Sequence, residues 1–229
     1  VEIIRERVVE INRDKLLKTT EGEYQAKAVV LATGNRPRQL GIPGETEFEG
    51  NGISYFVKDP EMFRDKRVVV VGGGDSAAEA ALALNGIAEY VTLVHRRDSF
   101  RTHKKNVKAL EETKTQTMMN TEISQIKGDD SVSKVVLVNN LNGVEVELDA
   151  DEVVLAVGLV PDDEIFRKLG LKTDNDGRII TDEKQQTSVE GIYAIGDITS
   201  GAGSLELIEV AIAQGAVAAH FIYLEQWHL

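Results

Sequence analysis

The sequence contains no cysteine. That excludes disulfide staples, thiolate metal ligands and a Cys-x-x-Cys redox centre on this chain. Histidine is scarce, and His95, His103, His220 and His228 stand too far apart for a recognisable metal-ligand spacing. No run of about 18 consecutive apolar residues exists, which argues against a membrane span. Basic residues are outnumbered, 26 against 38 acidic ones. The net charge of −12 argues against a nucleic-acid-binding body, since phosphate backbones are held by clustered Lys and Arg. The opening Val1-Glu2-Ile3-Ile4-Arg5 has no secretory or transit pattern and no initiator Met. The expectation is therefore a cytoplasmic chain without metal that begins inside a longer protein. What remains is ordinary for a globular protein, with 42% hydrophobic and 28% charged residues over 229 positions. That length allows one large domain or two smaller ones.

Apolar alternation runs through Val1 to Glu10, Lys15 to Thr20 and Ala26 to Gly34, which predicts a meander feeding a buried strand. The pattern recurs at Glu122 to Lys127, Lys134 to Asn139 and Val144 to Leu148, ahead of Val153 to Gly158. Residues 26–37 and 150–161 share seven of twelve identities, including a Gly and a Pro that mark turn geometry rather than burial. Two buried strands resemble each other in any case, but the coincident turn residues favour an internal duplication. In the second copy Gly72 precedes the terminal Gly158 by 86 residues. The turn that would match it in the first copy, counted back from Gly34, falls roughly fifty residues before Val1. The first unit is thus expected to lack its opening strand, turn and helix.

Lys66 to Val71 reads as a parallel strand covered on both faces. Gly72-Gly73-Gly74-Asp75-Ser76-Ala77 follows, then the strong helix former Ala78 to Leu84. The spacing is G-x-G-x-x-A. Gly72 serves a tight turn, Gly74 lets the backbone approach a pyrophosphate, and Ala77 allows close helix–strand packing. Free N–H groups of the turn and helix start, among them those of Asp75 and Ser76, then hold phosphate. A glycine turn alone fits a ligand-free reading as well. Context decides: about 20 residues on, where an NAD site carries an acid, this chain has His95-Arg96-Arg97, with Arg101 one helical turn further. Guanidinium forks suit a 2′-phosphate, so the cofactor expected here is NADPH. A solvated basic turn continuing into His103-Lys104-Lys105 is the bland alternative. Asp98 is expected to be a local partner for an arginine.

Several stretches together resemble the thioredoxin reductases and the ferredoxin–NADP reductases built on the same plan. They are Val30 to Gly34, Gly41-Ile42-Pro43-Gly44, Val70 to Ala77, Val94 to Arg101, and Thr187 to Asp197. The resemblance covers nearly the whole chain. It implies an α/β protein of two Rossmann-like dinucleotide-binding domains, three-layer ββα in type, with the first incomplete. Residues 1–47 and 158–229 would form a discontinuous FAD-binding domain and residues 48–157 an NADPH-binding domain, jointed near Gly44 to Gly52 and Gly158 to Pro161. Ala32, Thr33 and Gly34 would lie beside the FAD phosphates. Asp197, after Gly196, would match the aspartate that hydrogen-bonds the ribityl and pyrophosphate region. A helix from about Leu205 would aim its N-terminus at the flavin ring. An electron-acceptor protein is implied as partner, and a homodimer is allowed.

Two departures bear on function. Thioredoxin reductases carry a Cys-x-x-Cys in the stretch matching Ser54 to Arg64, which here holds no thiol, so disulfide exchange by this chain is excluded. Phe56-Val57-Lys58-Asp59 and Phe100-Arg101-Thr102-His103 are closer to the ferredoxin–NADP reductase branch, although the C-terminal extension of that branch is absent after Leu229. The second departure is the missing first glycine turn, which leaves FAD binding by this chain in doubt. The leading reading is an enzyme passing hydride from NADPH to FAD and on to an acceptor such as ferredoxin. The alternatives are a non-catalytic NADP-binding module of a larger assembly, a thioredoxin reductase-like homologue without redox cysteines, and a disulfide reductase completed by a cysteine-bearing partner. No catalytic residue can be named. Tyr55 and Phe56 are read as core, with a place near the nicotinamide as the alternative.

Overall fold

The structure is a computed structural model and describes residues 2–201 and 205–227. Val1, where the first predicted strand opens, lies outside them. The chain divides into two units, residues 1–36 with 159–229 (unit 1) and residues 37–158 (unit 2).

Unit 1 opens with an antiparallel meander, β1 (Val8–Ile11), β2 (Leu16–Thr19) and β3 (Glu23–Gln25), followed by β4 (Val29–Leu31). β5 (Asn35–Pro37) carries the chain out of the unit. Unit 2 contains β6 (Ile53–Ser54), β7 (Arg67–Val71), helix α1 (Asp75–Leu84), β8 (Tyr90–Val94), helix α2 (Lys104–Glu111) and β9 (Gln116–Met118). It continues through β10 (Thr121–Gly128), β11 (Val132–Asn139), β12 (Glu145–Asp149) and β13 (Glu152–Leu155). The chain returns through β14 (Leu159–Pro161), adds β15 (Ile192–Ala194) and ends in helix α3 (Ile208–Trp227).

The sheet of unit 2 has the order β6-β13-β7-β8-β9, and every neighbouring pair is parallel. β7 sits at its centre, which explains a run of four valines: both faces are covered, and Val68 to Val71 are all buried. One face packs on α1 through Ala77, Ala78, Ala81 and Leu84, and on α2 through Leu110. The other packs on the antiparallel layer β10-β11-β12 through Ile123, Ile126, Val135 and Leu137. This is the three-layer ββα arrangement, with the meander placed before the last parallel strand.

Unit 1 repeats only part of that plan. Among the described residues its parallel sheet consists of β15 and β4, and the middle residue of β4, Val30, is 41% exposed while Val29 and Leu31 are buried. A parallel strand open on one face is unusual, and it marks this dinucleotide-type domain as incomplete. The duplication is visible in the hydrogen bonds. Gly34 and Gly158 end their strands with φ of +67° and +98°. Asp162 N–H donates to the Gly34 carbonyl at 3.1 Å, and Arg38 N–H donates to the Gly158 carbonyl at 3.0 Å. These are equivalent bonds in the two copies.

Three expectations need correction. The first joint falls between Arg36 and Pro37, not near residue 47. Residues 37–47 belong to unit 2 because Ile126 N–H donates to the Pro43 carbonyl (2.9 Å). The buried Glu45 carboxylate also accepts the N–H groups of Leu40 and Gly41 (3.0 and 2.7 Å). The first strand forms only from Val8. The last helix starts at Ile208 rather than Leu205.

Residues 208–225, with mean hydropathy 1.2, are long and apolar enough to cross a membrane by length and composition, although no unbroken apolar run exists there. Its polar residues are tied to unit 1. The buried Gln214 accepts from Gly196 N–H at 2.6 Å and donates to the Thr199 hydroxyl at 3.3 Å, and Tyr193 OH donates to Glu225 at 2.6 Å.

Candidate functional site

The glycine turn follows β7 directly. At Gly72 φ is +153°, and an added Cβ would strike the Ala156 carbonyl oxygen and stand 2.8 Å from the Ala77 Cβ. Glycine is therefore required by both conformation and space. A Cβ at Gly73 would run into the His95 ring. Gly74 differs: it is the N-cap of α1 in an extended conformation, and a Cβ there meets nothing within 4 Å. The open space is a cavity of about 640 Å³ that lies wholly in unit 2. Its wall includes Gly72, Gly74, Asp75, Ser76, His95, Arg96 and Arg101. Ala77 is buried beneath the turn, as its packing role requires. Arg97 does not line the cavity.

The arginine loop is irregular, and Arg101 precedes α2 rather than standing on a helix. It is clamped from two sides. Asn120 N–H donates to the Arg97 carbonyl (2.9 Å) and the Asn140 side-chain amide to the Arg96 carbonyl (3.2 Å). From the other side, Arg101 N–H donates to the Gly73 carbonyl at 2.7 Å. Among the described residues none of Arg96, Arg97 and Arg101 makes an ion pair within 4 Å. Asp98, expected to hold an arginine, instead accepts the Ser99 hydroxyl at 3.0 Å. Exposed guanidinia without a protein partner are available to an anion.

His95 was predicted to touch the cofactor, yet its ring is largely enclosed. It is buried, stacks on Phe100 with centroids 5.5 Å apart, and places Nε2 3.1 Å from the Ser99 carbonyl oxygen. Burial pushes its pKa below 6.5, and the charges of Arg101, Arg97 and Arg96 act the same way against the Ser99 contact. The neutral imidazole supports the turn from below. Because the folded value lies under the unfolded one, the unfolded chain takes the proton first. The stability His95 confers is complete above the unfolded value and is lost as pH falls through 6.5 toward the folded value. His95→Gln should make the melting temperature less sensitive to pH between 7.5 and 5.5, measured by thermal unfolding. An identical pH dependence in variant and parent would refute this role.

Asp75 lines the cavity at the first position of α1. Its carboxylate is occupied by donors from the segment 102–106, most closely the Thr102 hydroxyl at 2.6 Å. The Thr102 and His103 hydrogen bonds hold its pKa below the usual carboxylate value. Thr102 was noted only as part of the Phe100 to His103 stretch, and Asn106 carried no sequence signal. Tyr55 and Phe56 were read as core. Tyr55 is half-buried, Phe56 is 52% exposed, and both line a second cavity of about 330 Å³ with Ser76 and Glu79. The two cavities share Ser76 and Ala156, so they flank one turn.

In unit 1 the parallel register pairs Ala194 with Leu31. Thr33 and Gly34 therefore follow one strand, and Gly196 and Asp197 the other, beyond the same carboxyl ends, where open α/β sheets take ligands. The Thr33 hydroxyl is committed to the Asp162 carbonyl (3.2 Å). The half-buried Asp197 carboxylate has no hydrogen-bond or ion-pair partner among the described residues. The described part of unit 1 has no strand, glycine turn and α-helix in the manner of β7 and α1.

A parallel sheet with a glycine turn opening into the helix after its central strand, repeated in part, defines a dinucleotide-binding α/β protein. The pyridine nucleotide-disulphide oxidoreductase family model matches residues 1–215, and the chain belongs to that family. It is 40% identical over 229 residues to the thioredoxin reductase of Peptoclostridium acidaminophilum, covering 95% of this chain and 72% of the relative. It is 39% identical over 210 residues to the ferredoxin–NADP reductase of Thermus thermophilus, covering 88% and 62%. The crystal structure of Lactococcus lactis thioredoxin reductase (FR conformation) matches with a TM-score of 0.82 at 36% identity, covering 95% of this chain and 73% of that one. The chain thus spans between 62% and 72% of the length of these two curated relatives. It falls among the flavoprotein oxidoreductases that use NAD(P)H and FAD.

Proposed function

We propose that unit 2 binds NADPH and that the protein passes electrons from it, by way of FAD held in part by unit 1, to an electron-carrier protein. The observation that carries the reading is the 640 Å³ cavity, which sets the open Gly74 and the start of α1 opposite the unpaired Arg96 and Arg101. Backbone N–H groups at the helix start serve the pyrophosphate. The guanidinium groups serve a 2′-phosphate, which an acid at that place would repel. The second cavity, with the exposed Phe56 ring and the adjacent Glu79, suits the nicotinamide end of the same ligand. When bound, NADPH supplies a hydride and FAD accepts it; the protein's part is orientation and exclusion of water.

With no cysteine in the chain, a ferredoxin-like one-electron carrier is favoured over a dithiol substrate. The homodimer and the cytoplasmic location belong to this proposal as well. A non-catalytic NADP-binding module is the second reading, favoured by the two-stranded parallel sheet of unit 1.

Flavin titration separates the two. The described residues of unit 1 offer Asp197 and Gly34 but no glycine turn opening into an α-helix to hold a pyrophosphate, so the 229-residue chain is expected to purify colourless. Its FAD affinity should be weaker than micromolar when followed by quenching of flavin fluorescence, with little diaphorase activity. Submicromolar FAD binding would show that the chain needs no further glycine turn, and would favour the enzyme reading for the chain by itself.

A further inference from the structure

Asp75 occupies the first position of α1, facing the cavity in which the proposed phosphates lie. A carboxylate there favours the helix dipole but would repel a pyrophosphate, so what occupies it matters. Its Oδ1 accepts the Thr102 hydroxyl (2.6 Å), the His103 N–H (3.0 Å) and the Asn106 side-chain amide (3.3 Å). The same amide reaches the Thr102 Oγ at 2.9 Å, and His103 Nε2 lies 3.6 Å from Oδ2. His103 is the N-cap of α2, and its own side chain makes no capping bond. One carboxylate at the start of α1 thereby caps the start of α2 from outside.

The consequence falls on Arg101. Its N–H is bonded to the Gly73 carbonyl, and the next residue is bonded to Asp75. The segment 101–103 is thus tied twice to the phosphate turn, although the loop from 96 to 103 has no regular structure. A loop ordered before the ligand arrives does not lose that freedom on binding, and affinity gains accordingly. A free loop would place the guanidinium near a 2′-phosphate only part of the time.

We propose that the Asp75 carboxylate positions Arg101 for reading the 2′-phosphate, setting preference for NADPH without itself contacting the coenzyme, through the hydrogen bonds to Thr102, His103 and Asn106. The inference rests on the NADPH reading of the cavity. The Asp75 carboxylate takes its donors from the protein, and so does not compete for the N–H groups that serve the pyrophosphate.

The test uses the two adenosine fragments, 2′,5′-ADP and 5′-AMP, titrated calorimetrically against the 229-residue chain and three variants. Asp75→Ala should reduce the preference for 2′,5′-ADP about tenfold, the size of one lost charge-assisted contact, with the 5′-AMP affinity moving less than about threefold. Asp75→Asn keeps an acceptor at Oδ1 and should restore most of the preference. Thr102→Val, which removes one donor and leaves α1 untouched, should lower the preference in the same direction. An unchanged preference in both Asp75→Ala and Thr102→Val overturns the proposal. So does an equal loss for both fragments, which a general structural role would produce. A parent chain that shows no preference for 2′,5′-ADP would instead overturn the NADPH reading beneath it.

Discussion

Gly74→Ala is expected to leave the chain folded and to remove most of its affinity for NADPH. The backbone at this N-cap is extended, with φ −98° and ψ −171°, and an added Cβ meets no atom within 4 Å. Two small terms act on stability. Restricting the unfolded chain gains about 0.4–1 kcal/mol, and alanine is a poorer N-cap than glycine by roughly 0.5–1 kcal/mol. They nearly cancel. The methyl group instead occupies the side of the turn from which a phosphate must approach the α1 N–H groups. Losing one such charge-assisted contact costs about 1.5–3 kcal/mol. Gly72→Ala should show the reverse. There the clash is with the Ala156 carbonyl and Ala77, inside the core, and φ is +153°. Overpacking and backbone strain together predict a loss of about 2–5 kcal/mol of stability, read as a lower denaturation midpoint. Similar melting and similar binding losses in both variants would contradict this division.

Arg96→Ala and Arg101→Ala should each weaken NADPH binding by about 1.5–3 kcal/mol, or roughly 10- to 150-fold, while NADH binding changes little. Both residues line the cavity, and among the described residues neither makes an ion pair. Arg97→Ala should do less, since Arg97 lies off the cavity wall. Competitive titration with both coenzymes measures the differences. Equal losses for NADPH and NADH in Arg96→Ala and Arg101→Ala would mean that these arginines do not read the 2′-phosphate.

What could be read from sequence was what repeats locally. Four buried valines, a glycine turn and an alanine-rich helix are adjacent in the chain, so β7, the turn and α1 were legible from pattern alone. The two meanders were legible for the same reason, by alternation. What failed depended on distant partners. The joint at Arg36 was hidden because residues 37–47 are held by Glu45 and by a bond from Ile126 to Pro43, neither of which has a period. Arg97 and Arg101 could not be ranked, because the path of an irregular loop is set by Asn120, Asn140 and Gly73. Asp75 and His95 sit where cofactor ligands sit, but their side chains turn to the protein. Only the positions of Thr102 and Ser99 in space reveal that. Phe56 looked like core because it is aromatic and precedes a buried segment, yet it borders a cavity.

The central claim is that the cavity of unit 2 takes NADPH through its 2′-phosphate. Calorimetric titration of the 229-residue chain with NADPH and with NADH, at low and at moderate salt, tests it most directly. NADPH is expected to bind at least about tenfold tighter, the free energy of one charge-assisted contact, with the advantage shrinking as salt screens the exposed arginines. Equal affinity for the two coenzymes at both salt concentrations, or binding of neither, would contradict it.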